Sequence, residues 1–150
     1  MTIYFDMDGT LVDFYSVPGW LDMLIDEDAT PYLIAKPLLN LSRLARLLNK
    51  LQKNGIKIGI ISWGSKCASE EYDEIVKAAK EDWLAKHMPS VTWDEIHVTH
   101  YGINKWETCG DKGDAILFDD EERNRVLWEN GYGLGPEFIF DVLNSLAKAF

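Results

Sequence analysis

The sequence has only two cysteines, Cys67 and Cys109, in 150 residues. That is too few for a disulfide framework, and their spacing is not that of a metal site. Long apolar runs are missing as well, since none approaches the ~20 residues that span a bilayer. The opening stretch MTIYFDMDG lacks the charged leader, apolar segment and small-residue cleavage site of a secretory signal. Basic residues are scarce: 15 Lys and Arg stand against 25 Asp and Glu, for a net charge of −10. Such a surface repels polyphosphate, which argues against a nucleic-acid partner, so any phosphate site must be built locally by a cation or by backbone amides. What remains is an ordinary globular composition, 47% hydrophobic and 27% charged, which excludes disorder. The expectation is one soluble, cytoplasmic domain over residues 1–150, with no membrane contact and with room for a homo-oligomer.

Apolar runs and helical periodicities alternate along the chain. Ile3-Tyr4-Phe5 is too short for a helix and ends on Asp6, so it reads as a strand. Leu41, Leu44, Leu48 and Leu51 recur at helical steps, with Pro37 suited to a first turn and Gly55 to a C-terminal cap. Ile56 to Ile61 reads as a buried strand stopping at Ser62. A second helix begins at Ser69 with the stripe Tyr72, Ile75, Val76, Ala79 and Trp83. Ile96 to Thr99 and Ala115 to Phe118 are two more strands, the last ending on Asp119-Asp120. Glu121 to Asn130 and Pro136 to Phe150 close the chain as helices, the latter with Phe138, Val142 and Leu146 on its face. The order predicts an α/β fold, a doubly wound and mostly parallel sheet. Residues 12–37 break the alternation and read as a small, partly helical flap over one edge.

In an open parallel sheet, ligands bind at the carboxyl ends of the strands. Those ends carry Asp6 and Asp8, Ser62, and Asp119 with Asp120, and the third strand leads to Lys105. Four carboxylates in one crevice repel each other unless a hard cation sits among them, and oxygen ligands with open positions suit Mg²⁺. This is a phosphoryl-transfer site in outline.

Asp6-Met7-Asp8-Gly9-Thr10-Leu11 after a first strand resembles the signature of the haloacid dehalogenase superfamily of phosphotransferases. Ser62, Lys105 and Asp119-Asp120 follow in that family's order, and the resemblance covers residues 1–135. It implies a Rossmann-like core with a cap insertion after the first strand. It also implies that Asp6 is the nucleophile, forming an aspartyl-phosphate, and that Asp8 is the general acid and base. Asp8 would lend its backbone carbonyl to Mg²⁺ as well, with Asp6 and Asp120 as the other metal ligands. Gly9 would let the backbone turn against the phosphate. Ser62 and the amides of Trp63 and Gly64 would hold non-bridging oxygens, Lys105 would neutralise nucleophile and phosphate, and Asp119 would orient Lys105.

Each motif has a plainer reading on its own. An Asp-x-Asp after a strand is often a turn, and Asp119-Asp120 could be only a helix N-cap pair; their co-occurrence is what defeats these readings. Lys112 competes with Lys105 but lies in a Gly-flanked turn. His87, His97, His100 and both cysteines have no ligand partners, and Arg43, Arg46, Lys50 and Lys53 read as a solvated helix face. The Gly-rich segment 131–136 lacks the preceding strand of a dinucleotide site.

The close Leu-Phe-Asp-Asp and the first motif look most like the 5′(3′)-deoxyribonucleotidase branch of that superfamily. Residues 12–37 are short for the cap of that branch, which leaves the site open. Trp20 in the flap could stack on a substrate ring, roof the pocket or pack into the core. The expected function is a Mg²⁺-dependent phosphomonoesterase acting on nucleoside monophosphates or another small phosphate ester. The alternatives are a phosphatase for a phosphorylated protein or nucleic-acid end, and a non-catalytic binding module on the same fold.

Overall fold

The computed structural model describes residues 1–149. The first strand, β1 (Thr2–Phe5), is buried on both faces, as a central strand of a parallel sheet must be. After the first motif comes the flap. It begins with β2 (Val12–Asp13), continues through a 3-10 turn at Phe14–Ser16, α1 (Trp20–Ile25) and α2 (Thr30–Ile34), and returns on β3 (Lys36–Pro37). β2 and β3 pair antiparallel, with Val12 opposite Pro37, and form the stem on which the insertion stands. Pro37 therefore does not open a helix. Instead α3 (Leu41–Lys53) starts four residues later, where Asn40 caps it by accepting from the Arg43 amide at 3.0 Å.

α3 buries Leu44, Leu48 and Leu51 completely, each contributing roughly 1.5–3 kcal/mol of transfer free energy. It ends at Gly55 in the left-handed region, as expected of a C-terminal glycine. The chain then enters β4 (Lys57–Trp63), α4 (Glu70–His87) and β5 (Glu95–Thr99), followed by the single turn α5 (Lys105–Thr108), β6 (Ala115–Phe118) and α6 (Glu122–Leu127). Two short pieces of the last third have weak local patterns: β7 (Gly133–Leu134), and a 3-10 turn leading into α7 (Ile139–Ala149).

The sheet order is β5-β4-β1-β6-β7, and every pairing in it is parallel. The chain first winds from β1 outward through β4 to β5, then crosses to β6 and β7 on the other side. β1 is thus the switch point of a doubly wound, Rossmann-like fold with a small flap after the first strand. The expected helix faces need two corrections. Ile75 is 52% exposed and Phe138 is 47% exposed; α7 instead turns Ile139, Leu143 and Ala147 inward. Among the described residues, no helix is long and apolar enough to cross a membrane.

The flap is fastened to the core by specific bonds. Tyr32 Oη and Ser65 Oγ share a 2.6 Å hydrogen bond, Trp83 Nε1 donates to the Ala35 carbonyl, and Tyr72 Oη donates to the Asp28 carbonyl. Glu27 accepts from both the amide and the hydroxyl of Ser69.

Candidate active site

Asp6 leaves the carboxyl end of β1 at the switch point, with its amide donating to the Phe118 carbonyl at 2.9 Å. The next residues fold back at once. Gly9 adopts φ +81°, and its amide donates to the Val12 carbonyl. A Cβ at Gly9 would stand 2.2 Å from Asp120 Oδ2. Gly9 therefore serves the turn and leaves room for the Asp120 carboxylate.

On one side of the crevice, Lys105 Nζ lies 3.0 Å from Asp6 Oδ1 and 2.6 Å from Asp119 Oδ2. Burial works against the Lys105 ammonium, but these two carboxylates outweigh it and hold its pKa above the usual lysine range. Lys112 is excluded from this place, because its ammonium lies over Trp106 and donates to that residue's carbonyl. Both oxygens of Asp119 are engaged, one by the Glu121 amide and the other by Lys105 and Asn124. Burial and the neighbouring Asp6 raise the Asp119 carboxyl to about 6. Asp120 faces the crevice, where burial and then Asp6 push it up to about 7. The Thr10 hydroxyl stands between the Asp6 and Asp120 carboxylates at 3.4 Å from each and accepts from the Asp120 amide.

Asp6, Asp119 and Asp120 each offer an oxygen, all within 4.8 Å of one another. An oxygen-only set of this kind, short of positive charge, fits a hard divalent cation. Asp119 is already committed to its own hydrogen bonds, which leaves Asp6 and Asp120 as the carboxylates able to hold Mg²⁺. The Asp8 carboxylate lies outside this cluster.

Asp8 belongs to the opposite side, where the sequence reading missed its partner. Lys80 on α4 is 1% exposed and spends its ammonium on Asp8 Oδ2 at 3.0 Å, Ser62 Oγ at 2.7 Å and the Trp63 carbonyl at 2.7 Å. Burial pushes the Asp8 carboxyl above its ordinary range, with Lys80 opposing. Helical spacing could have revealed this lysine, because Tyr72, Val76 and position 80 share one inward face.

The residues expected to cradle a phosphate stand at the end of β4 and just beyond it. Ser62 is fully buried beneath Lys80, and the Gly64 amide already donates to the Thr99 carbonyl at 2.7 Å. Trp63 and Gly64 line the crevice, and Arg123 lies 4.8 Å over the Trp63 ring at its edge. The crevice encloses about 240 Å³ between Asp6, Asp8, Lys105 and Asp120, with Tyr15 and Tyr101 at its mouth. Trp20 stands beyond it in the flap, edge-on to Tyr15 at 5.2 Å.

The residues expected to be chemically idle stay away from the crevice. His97 pairs with Glu95 and His100 with Asp73, while Arg43 packs on the Phe140 ring. Both cysteines are free thiols, Cys67 exposed and Cys109 buried.

No protein-family model matches the chain, and neither does any curated protein. Among solved structures, the crystal structure of D,D-heptose 1,7-bisphosphate phosphatase from Burkholderia thailandensis is similar, with a TM-score of 0.53 at 13% identity. The match covers 87% of this chain and 74% of that one. At this identity the likeness is one of fold: this chain shares the architecture of a phosphatase and carries an acidic cluster at the carboxyl end of its central strand.

Proposed function

We propose that the chain is a single-domain, cytoplasmic phosphomonoester hydrolase that uses Mg²⁺ and passes through an aspartyl-phosphate on Asp6. One observation carries the reading: Asp6, Asp8, Lys105 and Asp120 converge on one crevice at the switch point of the sheet. Asp6 and Asp120 would hold Mg²⁺ with the backbone carbonyl of Asp8, and the cation would offset the repulsion between carboxylate and phosphate.

Asp6 attacks phosphorus, and the ester P–O bond breaks. Asp8, whose proton burial favours, delivers that proton to the departing oxygen. In the second half, Asp8 takes a proton from water as the water attacks phosphorus, which releases phosphate and restores the Asp6 carboxylate. Lys105 stays bonded to Asp6 and keeps its attacking oxygen in place, while Asp119 holds Lys105 from the other side. The substrate is a small phosphate ester. Nucleoside monophosphates, to which the first motif points, are the first to assay.

The test is phosphate release from a panel of mononucleotides, sugar phosphates and aryl phosphates, with Mg²⁺ and after EDTA treatment. Release with Mg²⁺ that EDTA abolishes is the expected result. Undiminished turnover in EDTA-treated protein rules out the metal, and no release from any ester rules out the activity.

A further inference from the structure

A second cavity, of about 460 Å³, opens under the flap and shares Asp8, Tyr15, Gly64 and Tyr101 with the acidic crevice. Its walls are the opposite of the crevice in character: Phe14, Tyr15, Trp20, Leu21, Leu24 and Ile25 line it. Its volume is that of a small-ligand pocket. Its charged groups other than Lys66 are already committed, whereas the Tyr15 and Tyr101 hydroxyls and Trp20 Nε1 sit at the edges of aromatic rings. Both Glu27 oxygens accept from Ser69, the Ser65 hydroxyl is bonded to Tyr32, and the Asp8 carboxylate is bonded to Lys80. The one ammonium among its lining residues, Lys66, is exposed.

Asp8 lies at the junction of the two cavities. In the reading proposed above, on which this inference rests, Asp8 protonates the departing oxygen. The phosphoryl group then occupies the acidic crevice, and the departing group extends past Asp8 into the cavity under the flap. A group rich in hydroxyls would give up hydration against walls made mostly of aromatic faces and aliphatic side chains, whereas an apolar ring would be seated among those faces. A second phosphate would meet two carboxylates, Asp8 and Glu27, and one exposed ammonium, Lys66, among the lining residues.

We infer that the cavity under the flap is the leaving-group site, and that it takes an uncharged, largely apolar group of about one or two rings. Sugar phosphates and bisphosphates are then poor substrates.

The experiment separates binding from turnover. Mg²⁺-loaded protein is titrated with 2-naphthylmethylphosphonate and with methylphosphonate, neither of which can be hydrolysed. The naphthyl compound is expected to bind at least about tenfold tighter. Leu21→Asp and Ile25→Asp, at flap positions 54% and 70% exposed, should shrink that advantage. Equal affinity for the two phosphonates overturns the inference. In parallel, kcat/KM is compared for 2-naphthylmethyl phosphate, glycerol phosphate, glucose 6-phosphate and thymidine monophosphate, whose departing groups are all alkoxides. A lead for the naphthylmethyl ester supports the inference. A lead for either polyol phosphate overturns it, and a lead for the nucleotide overturns the apolar assignment in favour of a nucleobase. Tight binding of the naphthyl phosphonate with no turnover of any ester supports the cavity as a binding site and counts against the hydrolase reading alone.

Discussion

Two buried lysines stand on opposite sides of one crevice, and they balance unlike partners. Lys105 faces Asp6 and Asp119, with Asp120 beside them, so three carboxylates meet one ammonium. Lys80 faces the single carboxylate of Asp8 and completes its bonds with a hydroxyl and a carbonyl. The first side carries excess negative charge and calls for a cation; on the second, one ammonium meets one carboxylate at the junction of the two cavities. This difference separates the metal from the proton. In the proposed mechanism the Asp6 side would hold Mg²⁺ and the nucleophile, and Asp8 would hold a proton next to the departing oxygen.

The largest effects fall on the two first-motif carboxylates. Asp6→Asn should lower kcat on an alkyl phosphate by on the order of 10⁴-fold or more, because an amide cannot form the phosphoenzyme. Asp8→Asn should cost about 10²–10⁴-fold on the same substrate, the usual worth of general acid–base help. Steady-state kinetics on 2-naphthylmethyl phosphate measures both, and wild-type turnover by either variant breaks the comparison.

The lysines come next. Lys105→Met strands the buried carboxylates of Asp6 and Asp119 and should destabilise the fold by about 3–5 kcal/mol. Lys80→Met leaves the half-buried Asp8 without its ammonium and should destabilise it less. Mg²⁺ can replace part of the charge lost on the Lys105 side and none of that lost on the Lys80 side. Thermal melts with and without Mg²⁺ should therefore show a larger recovery for Lys105→Met, and equal recovery would contradict the division of roles. The smallest effect concerns Gly9. Gly9→Ala meets both the positive φ and the Asp120 carboxylate at 2.2 Å, so Mg²⁺ affinity, read from metal-dependent melting, should weaken by about tenfold. Unchanged affinity would remove Asp120 from the metal site.

The two sides also differ in how far the sequence disclosed them. The Asp6 side lies at strand ends, where short apolar runs stop on acids, and Asp6, Asp119 and Asp120 could be read directly from that pattern. The Gly-flanked turn around Lys112 sets Lys105 apart, and Lys105 is buried against two carboxylates. Lys80 was hidden because its role is set by which way α4 faces. A helix stripe read for apolar residues passes over a lysine, even one with the inward i+4 spacing of Tyr72 and Val76. The flap was recognisable as an insertion but not in detail. Its helices of six and five residues lack side-chain caps and are too short to stand alone. Bonds such as Tyr32 to Ser65 and Ala35 to Trp83 hold them in place, and these come from residues far along the chain. β7 was missed for the same reason: two residues become a strand only because β6 is there to pair with.

The central claim is that phosphorus is transferred to Asp6 and that Asp8 governs its release. The most direct measurement uses Asp8→Asn with p-nitrophenyl phosphate, whose leaving group needs little protonation. The phosphoenzyme should form and then stall, because water is no longer activated. A stoichiometric burst of nitrophenolate is expected, together with an added phosphoryl mass that maps to Asp6 and is labile to hydroxylamine. Asp6→Asn should give neither burst nor added mass. A phosphoryl group found on Ser62, or a burst that persists in Asp6→Asn, would contradict the account.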